Sequence, residues 1–461
     1  MSHNKASNPS LHVAFYPWFA MGHLTSFLRL ANKLAERGLT VSYFIPSKTQ
    51  PKLSPHNHHP NHLTFIPITV PHVDGLPPGA ETTNDVPGSA VPLIMTAMDL
   101  TQDTIEAHLA QLKPNFVFYD FTYWIPKLGQ KLGFKSIHYF TAFISRYGYL
   151  APYKKAGYLP NAADLLRPPP GYPSPIRMKP YEAKIMAGAG KTAFGLGGFT
   201  LAERLAVSFI ECDAFGVKTC KEMEGEHCKF FEDVFGKPVL LAGPVVPKLP
   251  SSKLDEHFDG WLNGFDESSV IFCALGSECS LEINQFHELL LGLELTGRPF
   301  LAVLKPPKNY ETIESALPEG FASRIRERGI VHEGWVQQQL ILQHRSVGCF
   351  ITHCGVGSLS EAIISKCQVV MIPQAIDQFI NARMMSLEWK IGVEIETRED
   401  DGLFTMEDVH KAITMVMDGE SEVGREVRAN HAKWREFILT QGVEDSYISS
   451  FIESLQQLLI V

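Results

Sequence analysis

The stretch 335–378 constrains this chain most. It reads WVQQQLILQHRSVGCFITHCGVGSLSEAIISKCQVVMIPQAIDQ. After the opening Trp335, the residues Leu340, Ile341 and Leu342 predict a short helix. Residues 347–352 form a compact apolar run of strand length that ends at His353. A glycine-rich turn with Gly355 and Gly357 leads through Ser358 into a helix-like LSEAIIS. A second apolar run, 369–372, stops at Pro373, and a polar loop closes on Asp377 and Gln378. Helix, strand, glycine turn, helix and strand in that order make a parallel α/β unit.

Such a unit has a ready place for a phosphate. The turn leaving the strand runs into a helix N-terminus, where free N–H groups and the dipole favour an anion. Gly355 and Gly357 let the backbone approach closely. His353 and Ser358 flank the turn as donors to phosphate oxygens. Glu361 lies one turn after Ser358, and its two oxygens suit a ribose diol. Trp335 can stack on a base. Purely structural readings stand beside these. Ser358-x-x-Glu361 is also a capping box, and Trp335 can simply pack in a core.

The chain has 461 residues, enough for two ordinary domains. A net charge of −9 argues against nucleic acid or an anionic membrane as the main partner. No apolar run approaches the ~20 residues of a membrane span. The polar start, MSHNKASNPS, does not read as a signal peptide. Eight scattered cysteines without a C-x-x-C suggest free, buried thiols in a reducing compartment, so a cytoplasmic location is expected. A monomer is expected as well.

From the start of the chain, residues 11–16 predict a strand, 17–22 a turn, 26–37 an amphipathic helix and 40–45 a second strand. This opening predicts a doubly wound domain with its ligand edge at the carboxyl ends of the strands. His23 falls on that edge. The histidines of 51–62 read as a solvated loop, residues 63–68 as a strand and residues 91–112 as one long helix. The run 115–119 is a strand that delivers Asp120 to the same edge as His23. A helix over 123–133, a strand over 136–140 and a helix over 141–153 follow. Residues 157–180 are proline-rich and irregular. MAGAGKT, 186–192, resembles a phosphate loop, but Ile185 stands where its first glycine belongs, so a flexible loop is expected. A helix over 201–210 and a strand over 239–242 end this half.

The segment 243–255 is rich in Pro and Ser and reads as a linker between domains 1–242 and 256–440. The second half again opens with a strand (270–275) and a turn at Gly276 and Ser277, then a helix (281–295) and a strand (300–304). Helices over 406–417, 423–439 and 447–458 close the chain. Two facing doubly wound domains with a cleft between them is the simplest arrangement.

Two residues on the first ligand edge suit acid–base chemistry. A neutral His23 can take a proton from a hydroxyl, and a carboxylate at its other ring nitrogen, Asp120, would fix the tautomer and stabilise the imidazolium. A loop or cap histidine and a helix-capping aspartate are the structural alternatives. An anionic leaving group would be met by His353, Ser358, the helix N-terminus and Ser277. With no acidic metal cluster near 335–378, no metal or other cofactor is expected.

The stretch 335–378 resembles the donor-binding signature of plant UDP-dependent glycosyltransferases that act on small molecules. The resemblance rests on Trp335, Gln338, His353-Cys354-Gly355, Ser358, Glu361, Asp377 and Gln378, spread over the signature's 44 residues. It extends to Gly22-His23 after the first strand and to FVFYD ending at Asp120. It implies an α/β GT-B fold, inversion at the anomeric carbon, a UDP-sugar donor and a small-molecule glycoside acceptor. It also implies that Asp377 and Gln378 touch the sugar hydroxyls, that the Val336 backbone meets uracil, and that Thr141 lies near the donor's phosphate or sugar. The acceptor would bind in residues 1–242 and the UDP-sugar in 256–440, with the last helix, about 441–461, returning to the first domain.

Most members have Trp-Asn after His-Cys-Gly, whereas Val356 and Gly357 stand here. Gly357, together with HVDGLPPGAETTNDVP and YDFTYWIPKLG, resembles the branch that extends sugars already attached to flavonoids and related glycosides. That branch includes glucosyl-, xylosyl- and rhamnosyltransferases. Transfer to an aglycone and non-catalytic nucleotide-sugar binding are the alternatives. A nicotinamide dehydrogenase is disfavoured because YPWFAMGH lacks G-x-G-x-x-G.

Overall fold

The computed structural model describes residues 11–244, 246–247, 250, 252–276 and 279–460. Ser277 therefore lies outside the described residues.

The first half builds one parallel sheet from β1 (His12–Tyr16), β2 (Thr40–Pro46), β3 (Leu63–Ile68), β4 (Phe116–Tyr119), β5 (Lys135–Phe140), β6 (Ala214–Val217) and β7 (Val239–Leu241). Their spatial order is β3-β2-β1-β4-β5-β6-β7. The second half builds another from β8 (Val270–Ala274), β9 (Phe300–Val303), β10 (Gly329–His332), β11 (Val347–Thr352), β12 (Gln368–Met371) and β13 (Gly392–Glu394), in the order β10-β9-β8-β11-β12-β13. Helices cover both faces of each sheet, so central strands bury both faces and read as continuous apolar runs. FVFY of β4 and VGCFIT of β11 are buried throughout.

Both sheets reverse direction beside their first strand. β1 lies between β2 and β4, and β8 between β9 and β11. At such a switch point the two βα loops part and leave a crevice at the carboxyl ends of the strands. The register Tyr16↔Tyr119 brings the loop after β1 beside Asp120, and Thr352↔Ala274 brings His353 beside the loop after β8.

The chain crosses back at its end. The helix Glu422–Leu439 lies over the second sheet, and the helix Val443–Leu458 buries Ile448, Phe451 and Leu455 in the first-sheet core. The Phe451 ring lies 5.9 Å from that of Phe118, and Lys33 Nζ lies 3.0 Å from Glu444. The proline-rich segment crosses too. Tyr172, Ile176, Met178, Ala183 and Met186 share a core with Phe379, Ile380 and Trp389, and Arg383 donates to the buried Glu182 at 2.7 Å.

Several elements differ from expectation. The first helix runs Met21–Glu36 and so begins five residues before the expected start at Ser26, with His23 in its first turn. The stretch 91–112 is two helices, Val91–Asp99 and Gln102–Leu112, because Tyr16 Oη donates to Met98 O and meets Thr101 Oγ1 at 2.6 Å, breaking the ladder there. The expected loop at 186–192 begins as the end of a helix, Pro180–Ala189, which Glu182 caps by accepting from Lys179 N at 2.8 Å. Histidine-rich 51–62 opens with short helical turns, Gln50–Leu53 and Ser54–His56. All eight cysteines are free thiols, and all but Cys279 are buried. Among the described residues no helix is long and apolar enough to cross a membrane.

Candidate active site

β1 and β4 deliver the first pair. His23 Nδ1 lies 2.6 Å from Asp120 Oδ2, although 97 residues separate them. The other carboxylate oxygen, Oδ1, accepts from Trp18 N and Phe121 N, each at 2.8 Å. Asp120 is only 2% exposed, and these three bonds keep its buried charge satisfied. Neither residue caps a helix. Ala20 is the N-cap of the His23 helix, and Trp124 that of the helix Ile125–Leu132.

The carboxylate sets the imidazole's tautomer. An ionised carboxylate only accepts, so Nδ1 carries the proton and Nε2 keeps its lone pair. Nε2 has no partner among the described residues, and the side chain is 22% exposed. Thr141, after β5, places Oγ1 3.4 Å from His23 Nδ1. The Phe121 ring lies 5.2 Å from the imidazole. Beneath the pair, His138 is buried with Nδ1 at 2.8 Å from Ser208 Oγ, and burial holds its pKa down to about 3.

The second switch point carries the donor signature. The chain leaves β11 at His353, turns through Cys354 with φ of +69°, and enters the helix Val356–Ile364 with Gly355 as N-cap. The left-handed Cys354 is tolerated because its surroundings over-determine it: the thiol is buried and its carbonyl accepts from Asn381 Nδ2 at 3.0 Å. Two glycines form a slot for His353. A Cβ on Gly276 would stand 2.6 Å from Cε1, and one on Gly355 2.6 Å from Nε2. Burial pulls the His353 pKa below the ordinary histidine value, with Asp377 opposing. The imidazole is therefore neutral near pH 7. Its Nδ1 is buried without a hydrogen-bond partner among the described residues.

The Ser358–Glu361 box is not a cap. The helix starts at Val356, two residues before Ser358, with Gly355 as its N-cap, so Glu361 sits in its middle. Instead, Glu361 Oε2 accepts from Gln338 Nε2 at 2.7 Å and Oε1 from Gln339 Nε2 at 3.0 Å. Gln338 also reaches Ser358 Oγ at 3.2 Å. The carboxylate is thus oriented by two amides, with lone pairs left for a diol. Trp335 is 85% exposed, which excludes the core reading, and the adjacent Val336 is buried. Gly357 is exposed, with no atom of the described residues within 4 Å of where a side chain would begin. Val356 packs against the cores of both halves.

Asp377 and Gln378 open the helix Ile376–Arg383. Gln378 Oε1 accepts from Gln374 N at 2.8 Å and Ala375 N at 3.0 Å, so only its NH2 remains for a ligand. Asp377 Oδ1 lies 4.0 Å from Arg146 Nη1, a residue of the first half's helix Ile144–Lys155. The pair spans the cleft. Sequence reasoning did not single out Gln339, Arg146, Asn381 or the ring of Phe121. Each acts through a contact made far along the chain, and no local pattern marks it.

A family profile described as UDP-glucoronosyl and UDP-glucosyl transferase matches residues 249–426. The chain is 55% identical over 454 residues to a cyanidin 3-O-galactoside 2''-O-xylosyltransferase of Actinidia chinensis var. chinensis, covering 98% of this chain and 99% of that one. The chain belongs to the UDP-glycosyltransferase family. An anthocyanidin 3-O-glucoside 2''-O-glucosyltransferase of Ipomoea nil is 50% identical, with 97% and 98% covered. Among solved structures, Glycyrrhiza uralensis UGT73P12, complexed with glycyrrhetinic acid 3-O-monoglucuronide, superposes with a TM-score of 0.81 at 21% identity, covering 98% and 96%. That likeness shows the shared two-domain GT-B fold. This UDP-glycosyltransferase therefore has the fold and enzyme class that its sequence resembles.

Proposed function

We propose that this UDP-glycosyltransferase transfers a sugar, with inversion, from a UDP-sugar to a hydroxyl on the sugar of a phenolic glycoside. The 2.6 Å His23–Asp120 contact, with Nε2 unpartnered among the described residues, carries the catalytic part of this reading. The acceptor hydroxyl donates to Nε2. As its oxygen bonds to the anomeric carbon, the bond to UDP breaks and that electron pair leaves on the diphosphate. The hydroxyl proton ends on Nε2, and Asp120 stabilises the resulting imidazolium. Such a base contributes about 10²–10⁴-fold.

The diphosphate is met by the N-terminus of the helix Val356–Ile364, by neutral His353 donating an N–H, and by Ser358. Glu361 takes the ribose diol, Trp335 and Val336 the uracil, and Asp377 and the Gln378 amide the sugar. These donors supply the electrostatic stabilisation without a metal, so turnover should persist in excess chelator. The sugar-on-sugar acceptor is supported by the relatives named above, both of which act on the 2'' oxygen of an anthocyanin-type 3-O-glycoside. The buried free thiols support a cytosolic, reducing location. A monomer is proposed.

The test is UDP release by the purified protein. UDP-glucose, UDP-xylose and UDP-rhamnose are crossed with flavonoid aglycones and their 3-O-monoglycosides, and product masses are read. Turnover on monoglycosides alone supports the proposal and identifies the donor. Turnover on aglycones alone refutes the acceptor assignment, and full activity of His23→Ala refutes the base.

A further inference from the structure

The aromatic residues around Asp120 form a continuous unit with the catalytic pair. Trp18 and Phe121 donate the two backbone N–H groups that hold Asp120 Oδ1. Their own rings meet at 6.0 Å, and both meet Phe194, at 5.4 Å from Trp18 and 6.2 Å from Phe121. Trp18 and Phe194 are buried, whereas Phe121 is half-buried and lies 5.2 Å from the His23 ring.

Phe194 is brought there from a glycine-rich segment whose turn is closed by Phe194 N donating to Phe199 O at 2.7 Å. A buried ion pair fixes that turn to the rest of the domain. Arg204, fully buried, donates through Nη1 to Asp99 Oδ1 at 3.1 Å, pairs again through Nη2, and donates through Nε to the Phe194 carbonyl. Asp99 Oδ2 accepts from Leu196 N at 2.8 Å. Between these two anchors Gly195 has φ of +88°, and a Cβ there would stand 2.2 Å from Arg204 Nη2 and 2.4 Å from Asp99 Oδ2. The segment is therefore clamped at the one residue that can pass.

The structure assigns Phe121, backed by Trp18 and Phe194, as the platform for the flat aromatic rings of the acceptor, with Arg204 and Asp99 as its positioning residues. This rests on the proposed glycoside acceptor. A planar ring stacked on Phe121 would bring its attached sugar near His23, because the two rings lie 5.2 Å apart. Aromatic stacking is worth about 0.5–1.5 kcal/mol, which is about twofold to tenfold in affinity.

The experiment compares a flavonoid 3-O-glucoside with octyl glucoside, acceptors that share the sugar but not the rings. For Phe121→Leu and Phe194→Leu, the ratio of kcat/KM for the flavonoid glucoside to that for octyl glucoside should fall about twofold to tenfold. An unchanged ratio overturns the platform. The double variant Asp99→Asn/Arg204→Met removes the clamp without leaving a buried charge. It should raise the KM for the flavonoid glucoside severalfold with a smaller change in kcat. A lowered unfolding temperature with KM unmoved overturns the positioning role. If the native protein turns over neither glucoside, the proposed function fails by itself. The platform is then read by calorimetry of flavonoid glucoside binding, where equal affinity for the native protein and Phe121→Leu overturns it.

Discussion

Asp120→Asn should damage catalysis more than Asp120→Ala, though it should damage the fold less. The reason lies in the two backbone N–H groups at Oδ1, 2.8 Å away in each case. In the asparagine variant they require the amide oxygen at that position. The amide NH2 is then forced toward His23 Nδ1, where Oδ2 stood at 2.6 Å. A donor there makes Nδ1 the acceptor, so the proton moves to Nε2 and the base loses its lone pair. The expected loss in kcat is about 10³–10⁴-fold, the scale of inverting a catalytic tautomer. Every hydrogen bond is still made, so the unfolding temperature should stay near that of the native protein. Alanine leaves His23 free to adopt either tautomer, and a smaller loss of about 10²-fold is expected. It also orphans the two N–H groups, costing about 1–3 kcal/mol for each one left without water. UDP release under saturating donor, single-turnover rates and thermal unfolding of both variants give the comparison. An asparagine variant more active than the alanine variant would refute the tautomer argument.

Three further perturbations test other parts of the site. Gly355→Ala has an ordinary φ of −63°, so its cost is steric: the new Cβ pushes His353 by about 1 Å to reach normal contact, and donor kcat/KM should fall on the order of 10²-fold. Glu361→Gln opposes an NH2 to one of the two glutamine amides, so UDP affinity measured by calorimetry should drop about tenfold, with little change in unfolding temperature. Stability should depend on acid through His138. Its folded pKa of about 3 lies below the unfolded value of ~6.5, so the unfolded chain binds the extra proton between these limits. Unfolding free energy from urea titrations should therefore fall as pH drops below ~6.5, by up to ~1.4 kcal/mol per pH unit from this group, and His138→Gln should flatten the slope.

Local pattern was enough for much of the architecture. Both α/β halves, the doubly wound character and most strands follow from apolar runs punctuated by glycine and proline, since strands buried on both faces leave a strong signal. The helix Met406–Met417 begins and ends where the sequence places it, because Thr405 and Asp408 form a local capping box. Three of the short strands at or near sheet edges were not legible. β6 is AFGV, β10 is half-buried GIVH and β13 is GVE, too brief for a period to show. The His23 helix was placed five residues late because its first turn, MGHLT, borrows its conformation from the loop against β4 rather than from a cap.

The site divides in the same way. The chemistry-bearing residues of 335–378 could be named because they lie in one βα unit whose spacing is itself the signal. What each one does was a tertiary matter. Ser358 and Glu361 read equally as a box that caps a helix, until the helix began at Val356 and Gln338 and Gln339 took the carboxylate. His23 and Asp120 were candidates on separate strands. Only the reversal of strand order beside β1 sets β4 next to it and closes 97 residues to 2.6 Å. Amino-acid sequence determines which strands and turns exist, because hydrophobic period and backbone preference act over a few residues. The slot around His353, the tautomer of His23 and the clamp of Arg204 on Phe194 depend on which strands become neighbours, and packing of the whole chain decides that.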